Sequence, residues 1–256
     1  IGDLAGQAGS GNFNTAVGRY AMYASGTGAN NVAVGNISGF SITDGSYNVL
    51  MGVDSGRNIT TGNYQTAIGY TAGYSMTTGN DNTVLGKAAG YYITTGYDSV
   101  AVGSGAGYNH TTGFGNVFVG KNAGYGAGSV ASSGNVGIGQ DTLYNQSGGY
   151  GNVCVGRESG KAITSGNSNT FIGNLVNNSQ TTTGSNNITL GANSTASSAT
   201  VSNEVTFGNS SIASIRCQVQ TISSLSDRRD KKDIEELPLG IDFINALKPV
   251  KFTWNM

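Results

Sequence analysis

The sequence predicts an all-β chain: a parallel β-solenoid, or β-roll, of about twelve 17-residue coils, followed by the start of a small α+β domain. Three observations predict it. An apolar–Gly pair returns every 17 residues, a β-branched residue precedes each pair by two places, and the composition changes abruptly after residue 213. A repeat of this length implies stacked supersecondary units rather than a single globular core.

The pairs stand at Val17-Gly18, Val34-Gly35, Met51-Gly52, Ile68-Gly69, Leu85-Gly86, Val102-Gly103 and Val119-Gly120. They continue, with two small insertions, at Ile138-Gly139, Val155-Gly156, Ile172-Gly173, Leu190-Gly191 and Phe207-Gly208. Two places before the anchors lie Thr15, Val32, Val49, Thr66, Thr83, Val100, Val117, Val136, Val153, Thr170, Ile188 and Val205. The interposed residue varies from Ala16 to Phe118 and Gly137. Period-two alternation with one specified face marks a short strand, and the specified pair is expected to line the coil's interior. Asn usually opens the strand, as at Asn31, Asn48, Asn116 and Asn152.

A second strand is expected around an aromatic six residues past the anchor (Tyr23, Phe40, Tyr74, Tyr91, Tyr108, Tyr125, Tyr144), with Ile42, Ile59, Met76, Ile93 or Ile163 two places on. The aromatic period fits stacking between coils. Corners such as Thr60-Thr61-Gly62 and Thr94-Thr95-Gly96 supply turn residues. The coils contain no proline, as expected where each N–H bonds a neighbouring coil. So thin a coil buries little, and ordering its share of the chain's 42 glycines opposes folding, so association into a homotrimer is expected.

Bulk properties exclude several classes. A net charge of −1 gives no field to attract nucleic acid, and no run of about 18 apolar residues is present to insert in a membrane as a helix. Cys154 and Cys217 fit no metal or redox spacing, and no cofactor or metal ligand set is expected. Gly115 to Lys121 imitates a phosphate-binding loop, but its glycines are ordinary repeat positions and Asn122 replaces the hydroxyl residue. His110, the one histidine, fills a slot held elsewhere by Ile or Met and reads as a repeat variant.

Residues 1–213 therefore read as a repetitive shaft, 214–225 as a linker and 226–256 as the N-terminal part of a further domain expected to continue past Met256. The last segment holds both prolines and a dense run of charge. A short helix is expected over Ile241 to Leu247, ended by Pro249, and a strand over Lys251 to Trp254.

The shaft's Asn–x–x–Val–Gly strand resembles the head repeats of trimeric autotransporter adhesins and the glycine-rich shafts of phage fibres. The run Ser226-Asp227-Arg228-Arg229-Asp230-Lys231-Lys232-Asp233-Ile234, with Leu237, Leu239 to Ile244 and Leu247 to Val250, resembles the opening of the endosialidase-type intramolecular chaperone domain of phage tail spikes and fibres. That resemblance implies trimerisation followed by self-cleavage. Ser226 is then the nucleophile and Lys231 the base, with the scissile bond at Leu225–Ser226; no activity on an external substrate is expected. It also implies a virion tail fibre, extracellular, with other tail proteins and a host-surface glycan or protein receptor as partners. The alternative is a trimeric adhesin head on a bacterial surface.

Overall fold

A computed structural model describes residues 1–216, apart from 8, 25, 129–130 and 180–181. Ile1–Ile212 form one compact unit. The linker beyond residue 216, Cys217, the expected helix and strand, and the Leu225, Ser226 and Lys231 assignments lie outside the described residues.

The unit is a parallel β-solenoid. Its strands are β1 (Thr15–Val17), β2 (Val32–Val34), β3 (Val49–Met51), β4 (Thr66–Ile68), β5 (Thr83–Leu85), β6 (Val100–Val102), β7 (Val117–Val119), β8 (Val136–Ile138), β9 (Val153–Val155), β10 (Thr170–Ile172), β11 (Ile188–Leu190) and β12 (Val205–Phe207). They form one twelve-stranded sheet in chain order, and each residue pairs with its counterpart in the next coil, as Val32 with Val49. The two-residue insertion before β8 leaves the register intact, with Val117 opposite Val136. The described residues contain no helix.

The Gly after each anchor explains the repeat's most constant letter. Gly69 has φ +137°, and a Cβ there would lie 2.5 Å from the Gly86 carbonyl oxygen of the next coil. The coils approach too closely at this corner for any side chain.

Two expectations are corrected. First, the specified pair of each strand faces outward, not into the coil. The interposed residue of β2 to β11 is buried, while the residues flanking it are half-buried or exposed. The interior column runs Ala33, Leu50, Ala67, Val84, Ala101, Phe118, Gly137, Cys154, Phe171, Thr189. From Ala33 to Gly137 large and small side chains alternate, because neighbouring coils share one narrow space and a bulky residue needs a small one beside it. The position varies because it is the core.

Second, the expected second strand is not formed. Thr71 (φ 53°) and Gly73 (φ 59°) are left-handed, as are the equivalent Ile37 and Leu175, and this breaks an extended run. The turn still joins the stack: Thr71 N–H donates to the Val53 carbonyl of the preceding coil and Gly73 N–H to the Ala89 carbonyl of the next, each at 2.9 Å. Side chains from this turn complete the core, notably Ile42, Ile59, Met76 and Ile93, with Ala72, Ala89, Ala106 and Ala123.

The Asn that opens most strands is buried from Asn31 to Asn187 and builds a second ladder, with Gln65 and Ser99 in its place before β4 and β6. Asn48 N–H and Nδ2 donate to Asn31 Oδ1 at 3.0 and 2.9 Å, and Nδ2 also donates to the Gly62 carbonyl. Asn135, Asn152, Asn169 and Asn187 repeat the pattern. A short amide offers one acceptor and two donors, so it satisfies corner groups that the sheet does not reach.

Candidate functional site

Four features of the solenoid could bear function. The first is the outward face of the sheet. Two residues on each of twelve strands, 24 in all, point away from the core, and none is buried. All are Val, Ile, Leu, Met, Phe or Thr. Met51, Ile68, Ile138 and Ile172 are 38–43% exposed, and Phe207 60%. The sequence reading missed this face. The signal available was the reciprocal change of size at the interposed position, which marks that position as the packed one.

The second feature is an aromatic ladder. Tyr74, Tyr91, Tyr108, Tyr125 and Tyr144 stack with centroids 4.8–5.3 Å apart and planes within 18°. This is the intercoil stacking expected from the period. Partial burial, with the neighbouring phenols, pushes the Tyr91, Tyr108 and Tyr125 hydroxyls above their ordinary pKa.

The third is a groove at the preceding corner. Tyr97 and Phe114 stack at 5.0 Å, Ser133 interrupts the column, and Tyr150 resumes it. Phe114, Tyr150, Ala131, Ser132 and Gly149 line the resulting space.

The fourth is buried and polar. His110 Nδ1 lies 3.1 Å from Ser132 Oγ, the ring packs on Phe118 with centroids 4.5 Å apart, and Nε2 has no hydrogen-bond partner. Burial pushes His110 down to about 4; the adjacent Gly124 backbone works weakly the other way. The imidazole is therefore neutral at pH 7. It occupies the slot of Ile93 in the coil before it, as a repeat variant. Cys154 is a buried free thiol, its pKa raised by burial.

Among the described residues, no group of three His, Cys, Asp or Glu could hold a metal ion, and no helix is long and apolar enough to cross a membrane. The Gly115 to Lys121 run spans β7 of the ladder and contains no helix N-terminus to receive a phosphate.

The described chemistry is that of a scaffold: a stack of coils held by backbone ladders and carrying a long apolar face. Comparison with known proteins adds the C-terminal part. Residues 226–255 match the family described as Chaperone of endosialidase. A β-solenoid continued by an endosialidase-chaperone segment fits a tail-fibre-like protein. No curated protein and no solved structure matches the chain.

Proposed function

We propose that the chain is the shaft of a trimeric bacteriophage tail fibre, extracellular on the virion, which holds or forms part of a host-attachment element. The observation that carries this reading is the joining, in one chain, of twelve stacked coils to a segment that matches the endosialidase chaperone from Ser226. That segment favours a fibre over an adhesin head. The shaft's own task is mechanical, to set the distance and direction of whatever engages a glycan or protein on the host.

The chaperone segment drives assembly of three chains and then cuts itself free. Ser226 Oγ attacks the Leu225 carbonyl carbon while Lys231 Nζ takes the hydroxyl proton. The Leu225–Ser226 amide bond breaks, its nitrogen leaves as an amine, and water hydrolyses the resulting ester. A lysine can act as this base only when neutral, and Arg228, Arg229 and Lys232 in the same run supply cations that lower its pKa.

The test is expression of the chain, and of the chain extended by a complete chaperone domain, each beside Ser226→Ala. Wild type of the extended form should release a fragment beginning at Ser226, read by mass spectrometry, and the variant should not. Equal cleavage of both removes the Ser226–Lys231 assignment. Light scattering should report three chains; a stable monomer refutes the fibre reading.

A further inference from the structure

We infer that the outward face of β1 to β12 is the surface on which copies of this chain join, so that the sheets of neighbouring chains close a second, intermolecular core. This deepens the fibre reading and rests on it for the identity of the partner.

The primary observation is an inversion of the usual rule. The interior column tolerates Ala, Leu, Val, Phe, Gly, Cys and, at Thr189, Thr, provided that sizes complement one another. The 24 outward positions vary much less, being β-branched or apolar in every coil, although the isolated coil leaves them half-exposed. The fold of one chain does not require this. A single coil would be as well formed with Ser or Lys there, since outward side chains of a parallel ladder touch only their own column.

Area and charge identify the occupant. Eleven intercoil steps of ~4.8 Å make a strip about 53 Å long. Nine of the 24 side chains are exposed and the other fifteen half-buried, so together they present on the order of 1,000 Å², against ~300–600 Å² for the largest patch on a typical monomer and ~800 Å² per partner in a standard interface. No charged residue falls on the strip. The shaft's charges, including Asp54, Arg57, Lys87, Lys121, Glu158 and Lys161, stand at the turns beside it.

A partner for twelve rungs at a fixed pitch must itself repeat at that pitch without charge. A second copy of the same ladder does so in register from the first coil to the last. The strip is only three residues wide, with two outward side chains per rung, which suits strips closing around a common axis. Thr66, Thr83 and Thr170, the smaller and partly polar members, then sit beside Ile68, Leu85 and Ile172 in each rung.

The experiment uses the full chain in a Cys217→Ser background, which leaves only the buried Cys154, with two probes that each add one surface cysteine. Val102→Cys lies on the outward face of β6, and Thr95→Cys is exposed at the far corner of the same coil. Mild oxidation should link chains through Val102→Cys and not through Thr95→Cys. In parallel, Ile138→Lys with Ile172→Lys should lower the light-scattering mass three-fold while the circular dichroism of the coils persists. Linkage through Thr95→Cys only, or a trimeric mass in the lysine variant with no linkage through Val102→Cys, overturns the face while leaving the trimer. A wild-type chain that is monomeric overturns the fibre reading and this assignment together. If the lysine variant does not fold, the cysteine pair alone decides.

Discussion

His110 should make the solenoid sensitive to acid. Its ring is buried against Phe118, shares a hydrogen bond with Ser132 through Nδ1, and leaves Nε2 without a partner. Protonation in place puts an uncompensated charge in the core, so the folded pKa falls to about 4 from an ordinary 6.5. The folded-state value is the lower one, so below pH 6.5 the unfolded chain binds the proton more readily. Stability is present in full above 6.5 and is lost as pH falls towards 4. Over that span the linkage amounts to roughly 3 kcal/mol, most of it falling between pH 7 and pH 4.5. Carboxylates titrate in the same window, so the comparison must be with His110→Ile, which restores the aliphatic residue found at Ile93. Urea unfolding followed by circular dichroism at the two pH values should show the wild type losing about 2 kcal/mol more than the variant. The variant should also be more stable at pH 7, since it removes an orphaned polar atom. Equal losses on acidification would refute the argument that this ring is held neutral by burial.

Three further outcomes test the packing. Asn152→Ala removes the acceptor for the Asn169 N–H and the donor to the Gly166 carbonyl, and should cost about 3 kcal/mol in urea unfolding, since each buried orphan costs ~1–3 kcal/mol. Gly124→Ala places a methyl 2.4 Å from the Phe118 ring at a left-handed φ and should destabilise by ~2–4 kcal/mol. Adding Phe118→Leu should restore part of that loss, whereas strictly additive losses would show that the ring is not the obstacle. Cys154 is buried, and its raised pKa keeps it a thiol. In a Cys217→Ser background a thiol reagent should label nothing in the native chain and one group after denaturation; rapid native labelling would place Cys154 at the surface.

The sequence by itself determined the period, the number of coils and the position of all twelve strands. Each strand, from Thr15–Val17 to Val205–Phe207, lies where the alternation places it. These features were legible because they belong to a single coil: a β-branched residue, an anchor, and a Gly that only a close corner explains. The C-terminal resemblance was likewise carried by consecutive residues, and the family match begins at Ser226.

The tertiary structure decided what depends on neighbouring coils. The strip from Gly69 to Tyr74 reads as the approach to a second strand, yet Thr71 and Gly73 turn left-handed because their N–H groups bond coils on opposite sides. Which side of Val100–Ala101–Val102 faces inward was settled the same way. Alternation states that two faces differ but is blind to their sign; the sign follows from where the rest of the coil closes. Here it closes over Ala101, in a space shared with Val84 and Phe118, and leaves Val100 and Val102 outside.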